Sequence, residues 1–448
     1  MMIFMGCRHC TLTSRKAVPT RRTFLANVVL WTVILLACVV AIPRLCAAPI
    51  PRPLIKQSAY GRPNMVLFLV EGLTFEDLAP YGATNRLMPR WKQLADEGLR
   101  LDAAYGAGPQ ADVALRQWLG DIEHTVILLS ETGRVFSTVS TAPLPKRLME
   151  QGYVTGTLGW WPPGEAWPPM AQGLEEWFGA FDRDEARQVY PRYLYRNERR
   201  HEFNPPATPN RAAAPQLLLT AITNFVRTSK LYPFYLQIIR PSPQSETNRQ
   251  EWLAQLDREL GAVLDSLRLH GVATQTLVVA GGLASWRAPN TPTRSIAGPA
   301  GRLRCSTNGV YEGDLRIPLL MRWPAKLPAG TTNALPVILP QLHATLAQWG
   351  DVQITPDIRT LCRGEQFTSR NPTNLPLRVI WKIPATGAEA LRDGPWKLVR
   401  PAHSALFELY HLENDPYELE NLAVQQPEMV KKLSALLQDR RRAIAPTP

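Results

Sequence analysis

Acidic side chains follow directly on a short apolar run near residue 70, and their position suggests chemistry. Met65–Val70 is continuously apolar, too short for a helix and preceded by a Pro-Asn pair, so it predicts a buried strand. Glu71, Glu76 and Asp77 come after this run. In α/β sheets, ligands collect at the carboxyl ends of the strands. These three acids are therefore candidate site residues.

The elements that would position the acids follow an α/β pattern. Pro89–Gly98 has apolar residues at helical spacing and ends at a glycine, a frequent helix C-cap. The strand, the acidic loop and this helix form the first unit of a doubly wound fold. Further buried strands are predicted at Tyr153–Leu158, Pro233–Ile239 and Gln275–Ala280, with helices at Pro215–Arg227 and Glu251–His270. The polar stretch Arg183–Pro209 is predicted to be a long surface excursion.

The opening of this region resembles the sulfatase family of the alkaline phosphatase superfamily. The family pattern reads RPNxxxxxxDDLGxxDLxxYG followed by TPNLDxLAxEGxxFxxAY. The matching residues here are Arg62-Pro63-Asn64, Leu73, Asp77-Leu78, Tyr81-Gly82, Pro89, Leu94-Ala95, Glu97-Gly98 and Ala104-Tyr105. Gly309–Gly330 and Leu406–Leu422 match later family segments.

The resemblance covers roughly residues 60–440 and implies the fold. We expect an α/β domain over residues 62–350 with a mixed, mostly parallel sheet flanked by helices. Residues 375–448 should form a small C-terminal α+β subdomain with an antiparallel sheet and a helix. In this pattern Glu312 and Arg316 belong to a structural motif, so we expect them to have packing roles.

The catalytic residues that the resemblance implies are missing. Sulfatases use a formylglycine made from Cys or Ser in the pattern C/S-x-P-x-R, but the matching window 106–120 contains no Cys, Ser or Thr. If Arg116 keeps the family arginine, Asp112 stands at the nucleophile position. If the glycine at 120 is aligned instead, Gln110 does. A solvated loop acid is the simpler interpretation of Asp112.

The metal site implied by the family has also lost most of its ligands. The two acids after the first strand fall on Glu71 and Gly72, and the later pair falls on Leu283 and Ala284. A hard divalent cation needs several oxygen ligands, which Glu71 alone does not supply. We therefore expect no cofactor, and Ca²⁺ or Mg²⁺ only if the site has been rearranged.

The family's sulfate contacts are replaced as well. Its lysine and histidine after the second strand fall on Trp160 and Pro162, and a later histidine falls on Ser242. Its lysine before the 309–330 segment falls near residue 307, where Arg304 is the nearby cation. If the family geometry holds, Trp160 and Trp161, together with the tryptophan at 167, line the mouth of the cleft. They are binding candidates together with Arg304, although packing aromatics are an equally good interpretation.

The N-terminus carries an export or anchoring signal. Arg21-Arg22 followed by Thr-Phe-Leu matches the twin-arginine pattern. Residues 24–43 are uncharged and long enough to span a bilayer, and basic residues precede them, which places the N-terminus in the cytoplasm. We expect residues 49–448 outside the cytoplasm, either anchored by a single span or secreted after cleavage. In that compartment Cys305 and Cys362 either form a disulfide or remain buried thiols.

The net charge and the distribution of basic residues limit the classes of molecule that this protein is expected to bind. The net charge is +12, of which residues 1–48 contribute six basic and no acidic residues. No basic run with interleaved aromatics predicts a nucleic-acid groove. Two functional hypotheses remain open. The first is a sulfatase-like pseudoenzyme that binds an anionic or carbohydrate ligand or a protein partner. The alternative is an active ester hydrolase or transferase whose rearranged metal site uses Asp112, Glu71, Glu312 and Arg316.

Overall fold

The computed structural model describes residues 62–84, 88–106, 108, 110–119, 126–129, 135–136, 143–203, 213–284, 303–306, 309–350, 378–383 and 386–444. These residues belong to one compact unit. The twin-arginine pair, the apolar segment 24–43, residue 307 and Cys362 lie outside the described ranges. Cys305 is buried. No helix within the described ranges is long and apolar enough to cross a membrane.

Seventeen strands are described. They are β1 (Asn64–Glu71), β2 (Leu99–Tyr105), β3 (Val126–Leu129), β4 (Val135–Phe136), β5 (Val154–Trp160), β6 (Glu176–Ala180), β7 (Tyr193–Arg196), β8 (Arg199–Glu202), β9 (Phe234–Arg240), β10 (Thr276–Ala284), β11 (Arg316–Arg322), β12 (Thr331–Asn333), β13 (Val337–Ile338), β14 (Arg378–Ile383), β15 (Ala388–Asp393), β16 (Trp396–Arg400) and β17 (Glu408–His411).

The described α-helices flank these strands. They are α1 (Pro89–Asp96), α2 (Ala111–Leu119), α3 (Leu144–Glu150), α4 (Arg183–Arg187), α5 (Ala214–Ser229), α6 (Arg249–Leu269), α7 (Glu312–Leu315), α8 (Leu339–Trp349) and α9 (Pro427–Ile444). Short 3₁₀ turns lie at Phe75–Asp77, Ala79–Tyr81, Pro169–Gln172, Glu246–Asn248 and Ala273–Gln275.

The larger sheet is mixed, with a parallel centre, as the sequence predicts. Its order is β12-β2-β11-β10-β1-β9-β5-β6-β7-β8, with β13 beside β2. The central strands β10, β1, β9, β5 and β6 are mutually parallel. All eight residues of β1 are buried, which explains why its sequence is a continuous apolar run rather than an alternating one. Because these strands are parallel, their carboxyl ends lie at the same edge of the sheet. Glu71, the last residue of β1, lies at this edge.

Two glycines set the spacing between β5 and β6. Gly159 has a φ of +98°, a left-handed conformation that favours glycine. Its pairing partner across the two strands is Gly179. A Cβ atom on Gly179 would stand 1.7 Å from the carbonyl oxygen of Gly159. The close approach of these two strands therefore requires glycine at this pair.

The stretch after β6 differs from the surface excursion that the sequence suggests. Arg183–Arg187 forms α4, and β7 and β8 form a hairpin that extends the larger sheet antiparallel to β6. The residues of β8 are mostly exposed. An edge strand exposed on both faces has no apolar alternation, so no strand pattern is visible in these residues.

The second sheet is antiparallel and runs in the order β17-β16-β15-β14-β3-β4. It therefore includes two strands, β3 and β4, from the 126–136 region as well as strands from the C-terminal segment. Leu433 and Leu437 of α9 pack in one apolar cluster with residues of β14–β17.

A buried ionic network joins this sheet to the 309–316 segment. Nζ of Lys397 lies 2.9 Å from carboxylate oxygens of both Glu312 and Glu418. Tyr105 donates a hydrogen bond to Glu312 (2.7 Å). Burial opposes ionisation of Glu312, but Lys397 and Arg392 outweigh burial and hold its pKa low, while burial raises the pKa of Glu418 to about 7. The predicted packing role of Glu312 is confirmed.

Candidate functional site

Glu71, which the sequence comparison with the family pattern aligns with the first metal-binding pair, accepts hydrogen bonds from other protein groups on both carboxylate oxygens. Its side chain is 2% exposed. Nη2 of Arg183 donates to Glu71 Oε1 (2.8 Å). The backbone N–H and the hydroxyl of Ser242 donate to Oε2 (3.1 and 2.7 Å). Both carboxylate oxygens thus accept charge-assisted or hydroxyl hydrogen bonds, and the charge is balanced by a guanidinium group.

The carboxyl ends of three strands of the parallel centre bring these groups together. Glu71 ends β1, Ser242 lies two residues beyond the end of β9, and Arg183 opens α4 just after β6. Asp182 caps α4 by accepting a hydrogen bond from the backbone N–H of Glu185 (2.8 Å), which fixes the start of the helix. The guanidinium of Arg183 lies 4.7 Å from the ring centroid of Trp160, within cation–π range. Arg183 is thereby held between Glu71 and Trp160.

A second arginine completes the cluster. Arg187 donates from Nε to the Ser242 carbonyl (2.9 Å), from Nη2 to the Ser242 hydroxyl (2.7 Å) and from Nη1 to Asp184 (3.1 Å). The Ser242 hydroxyl therefore accepts from Arg187 while it donates to Glu71. Burial lowers the pKa of Arg187, and the like charge of Arg183 adds to this effect, while Glu71 opposes it. We call Glu71, Arg183, Arg187 and Ser242 the arginine-filled cleft.

The position of the second metal-binding pair is apolar. Leu283 and Ala284, at the end of β10, are fully buried. The backbone N–H of Gly72 donates to the Ala284 carbonyl (2.9 Å), so this strand end is tied to its neighbour. Asp77 receives two hydrogen bonds from Arg249 (2.9 and 2.6 Å). Among the described residues, no group of three or more Asp, Glu, His or Cys side chains could hold a metal ion.

The residues at the nucleophile position lie apart from this cluster. Gln110 is exposed just before α2, and Asp112 is half-buried in its first turn. Neither side chain has a hydrogen bond or ion pair with the rest of the described chain. A helix N-terminus favours a carboxylate, which accounts for Asp112 without chemistry. Arg116 lies 5.6 Å from the ring centroid of Trp167.

The expectation that Trp160 and Trp161 line an open cleft mouth is wrong. Trp160 is 4% exposed and Trp161 is fully buried. The indole N–H of Trp160 donates to the Phe181 carbonyl (3.2 Å), and that of Trp161 to the Trp167 carbonyl (2.7 Å). Both rings pack into the main apolar core. A ring enclosed in this way cannot stack on a ligand.

Arg304 also differs from its predicted binding role. Its guanidinium stacks on Tyr311 (4.1 Å to the centroid) and donates to the hydroxyls of Tyr311 and Tyr410. It lies 3.6 Å from Glu408. These contacts join the 303–311 segment to the second sheet, so Arg304 has a structural role. Arg316 likewise donates from Nε to the Asp102 carbonyl (2.9 Å), as expected for a packing residue.

Arg183 and Arg187 are the site residues that sequence reasoning missed. Both lie in Arg183–Pro209, the stretch that the sequence predicts to be a surface excursion. One signal could have found Arg183, because it lies three residues beyond the end of β6. The rule that ligands collect at the carboxyl ends of parallel strands, which identified Glu71 as a candidate, applies equally to β6 of the same sheet.

Comparisons with known proteins agree with this architecture. The family model described as Sulfatase matches residues 63–246. Human N-acetylgalactosamine-6-sulfatase is 26% identical over 314 residues, covering 60% of this chain and 59% of that protein. Human arylsulfatase A is 26% identical over 335 residues, covering 64% of each. The chain thus spans less than two thirds of the length of these curated relatives. N-acetylgalactosamine-6-O-sulfatase of Bacteroides thetaiotaomicron is 32% identical over a shorter 161-residue match, which covers 31% of this chain and 30% of that protein.

Solved structures resemble the whole fold. Ps i-CgsB in complex with k-i-k-neocarrahexaose superposes with a TM-score of 0.66 at 19% identity, over 84% of this chain and 92% of that chain. The PsFucS1 sulfatase from Pseudoalteromonas sp. gives a TM-score of 0.62 at 17% identity, over 85% and 91%. A protein in complex with its substrate D-glucosamine-2-N,6-O-disulfate gives 0.64 at 14% identity, over 86% and 99%. At these identities the likeness concerns the fold.

Proposed function

Because this chain belongs to the sulfatase family, we propose that it is a member that has lost sulfuryl transfer and acts by binding. Its ligand would be an anionic or carbohydrate molecule or a protein partner. Most of the chain would lie outside the cytoplasm, exported or held at the membrane through residues 24–43. The observation that carries the proposal is the ion pair between Glu71 and Arg183.

A guanidinium group cannot replace the divalent cation of a sulfatase in catalysis. A bound cation acts as a Lewis acid on the ester oxygens and stabilises charge that develops there. Arg183 carries one positive charge, offers only N–H donors and has no open coordination position. The Glu71 carboxylate accepts from Arg183 and Ser242 on both oxygens. A Ca²⁺ ion takes six to eight oxygen ligands, so the residues present do not fit the family's metal.

The residues at the nucleophile position also support loss of sulfuryl transfer. Residues 106–120 contain no side chain that can be converted to formylglycine. Asp112 is the acid within this window, and none of the described contacts brings it to Glu71, Arg183 or Ser242. Groups that act as a unit in catalysis lose their effect together. The combined absence of a convertible nucleophile and, among the described residues, of a fitting ligand set for the cation therefore supports loss of activity rather than a reduced rate.

The rearranged-site alternative finds no supporting observation. It requires Glu312 and Arg316 at the site with Asp112 and Glu71. Glu312 instead pairs with the buried Lys397 (2.9 Å), and Arg316 donates to a backbone carbonyl. Both side chains are committed to packing.

Ligand class is suggested by the relatives. Two of them are named for 6-sulfated N-acetylgalactosamine, and two structural neighbours were solved with a carrageenan-type oligosaccharide or a sulfated glucosamine. These ligands combine a sugar ring with an anionic group. We extend the same class to this chain as a binding preference without turnover.

Metal analysis of the purified protein tests the proposal. After purification in the presence of Ca²⁺ and desalting, we expect well under one equivalent of Ca²⁺ or Mg²⁺ per chain. Stoichiometric metal that is lost in Glu71→Gln would contradict the proposal and support the rearranged site. A calcium-binding sulfatase processed in parallel serves as the positive control.

A further inference from the structure

A pocket lies beside the arginine-filled cleft. It is lined by the segment 186–190, which includes the end of α4, by residues 240–244 at the end of β9 and by the first turns of α6, and its volume is about 400 Å³. This size falls within the usual range for small-molecule sites. Arg187 and Ser242 belong both to the cleft and to the pocket lining. The pocket therefore adjoins the arginine-filled cleft and shares Arg187 and Ser242 with it.

One wall of the pocket is held by four side chains that are linked by hydrogen bonds and one ion pair. Gln255 and Glu259 are one turn apart on α6, and both are buried. Gln255 donates to Glu259 Oε1 (2.9 Å). Arg258 donates twice to Gln255 Oε1 (3.0 and 2.5 Å), and Nε of Arg240 lies 3.1 Å from Glu259 Oε2. Two guanidinium groups are thereby fixed before any ligand binds, which lowers the entropic cost of binding.

The charge of the lining is positive. Three arginines and one glutamate line the pocket. Arg187 and Arg240 are partly neutralised by Asp184 and Glu259. Arg258, in contrast, makes no ion pair with any described residue. Guanidinium groups bind carboxylate, sulfate and phosphate through paired N–H donors, so the lining favours an anion.

An aromatic ring, that of Trp252, lines the same pocket as these arginines. Trp252 is partly exposed, and its indole N–H donates to the Pro241 carbonyl (3.0 Å), which fixes the ring plane. Tyr190 at the rim is 48% exposed. Fixed aromatic faces with a polar edge are well suited to the apolar side of a ring-shaped polar ligand.

We propose that this pocket binds a small ring-containing organic anion. Arg240 and Arg258 would hold its sulfate, phosphate or carboxylate group, and Trp252 would pack on its ring. The inference rests on the proposed function, since a protein without turnover acts through what it binds. It moves the ligand away from the filled cleft to Arg240, Arg258 and Trp252, which are not at the family's sulfate-contact positions.

The test is calorimetric titration of the purified full-length chain in detergent at constant ionic strength. The titrants are glucose 6-sulfate, glucose 6-phosphate and glucuronate, with uncharged glucose as the reference. We expect saturable binding of at least one anionic sugar, at least tenfold tighter than glucose. Arg258→Gln should weaken that binding about tenfold or more. The matched control, Arg268→Gln, changes an exposed arginine at the other end of the same helix and should leave the affinity unchanged.

Additional variants separate the possible failures. Arg240→Gln leaves Glu259 without its partner and can destabilise the fold, so Arg258→Gln carries the main comparison. The inference is wrong if no anionic sugar binds, if glucose binds equally well, or if Arg258→Gln keeps wild-type affinity. It is also wrong if only Arg183→Gln abolishes binding, because the ligand would then lie in the cleft. None of these results restores catalysis, so the proposed function is judged separately by metal content and turnover.

Discussion

The pairing of Glu71 with Arg183 predicts an asymmetric response to substitution. The Glu71 side chain is 2% exposed and the Arg183 side chain is 39% exposed. Arg183→Gln leaves a buried carboxylate supported by Ser242 alone. Glu71→Gln leaves an arginine that can turn into solvent. We therefore expect Arg183→Gln to destabilise the protein more than Glu71→Gln.

The expected loss of unfolding free energy lies between the values for fully exposed and fully buried ion pairs. Exposed ion pairs contribute about 0 to 1 kcal/mol, and loss of one partner from a fully buried pair costs about 3 to 5 kcal/mol. The half-exposed Arg183 is screened by solvent, and the remaining Ser242 bonds support the carboxylate. We expect Arg183→Gln to cost about 2 kcal/mol and Glu71→Gln about 1 kcal/mol, with a coupling free energy between the two of about 1 to 2 kcal/mol.

The assay is urea denaturation of the wild type, the two single variants and the double variant, followed by tryptophan fluorescence. The double variant should be no less stable than Arg183→Gln alone, because it removes the uncompensated charge. Arg183→Lys keeps the positive charge and should retain part of the stability. Adding about 10 mM Ca²⁺ should not rescue Arg183→Gln, because weak binding stabilises by only a few tenths of a kcal/mol. A coupling free energy near zero, or full rescue by Ca²⁺, would refute the reasoning.

Three further predictions concern the fold and export. Burial raises the pKa of Glu418 to about 7, so the folded state keeps a proton that the unfolded chain loses, and this contribution to stability declines as the pH rises from about 5 to 7. Glu418→Gln should remove about 2 to 3 kcal/mol of that pH dependence, measured by urea denaturation at several pH values, and an unchanged profile would count against the assignment. Gly179→Ala should cost about 3 kcal/mol or more because its Cβ meets backbone, whereas Gly164→Ala, with open space around it, should cost about 1 kcal/mol; equal costs in thermal melts would contradict this. Replacing Arg21 and Arg22 by lysine should block export by the twin-arginine route, and unchanged export in a fractionation assay would indicate the general secretory route.

The central sheet could be predicted from the sequence because its strands are continuous apolar runs. The runs at Met65–Val70 and Pro233–Ile239 correspond to β1 and β9 within one or two residues. Both strands are almost fully buried, so their sequences leave little ambiguity. The prediction that the family's metal ligands are missing rests on residue types alone, since Gly72 and the Leu283-Ala284 pair have no oxygen in their side chains.

What the sequence could not show were contacts between distant residues. Glu71 and Arg183 are 112 positions apart, and no local pattern links them. Trp160 is the last residue of the buried strand β5, and the sequence alone does not distinguish a core tryptophan from one at a cleft mouth. The same limit explains β3, which pairs with β14 about 250 residues later. Pairing partners of short strands are set by tertiary packing rather than by their own residues.

Loss of sulfuryl transfer is tested most directly by turnover of a chromogenic aryl sulfate by the purified protein, with and without added Ca²⁺. We expect no turnover above the uncatalysed rate for the wild type, and the same result for Glu71→Ala. Turnover by the wild type that disappears in Glu71→Ala would show that Glu71 still serves catalysis, and the proposed loss of activity would then be wrong.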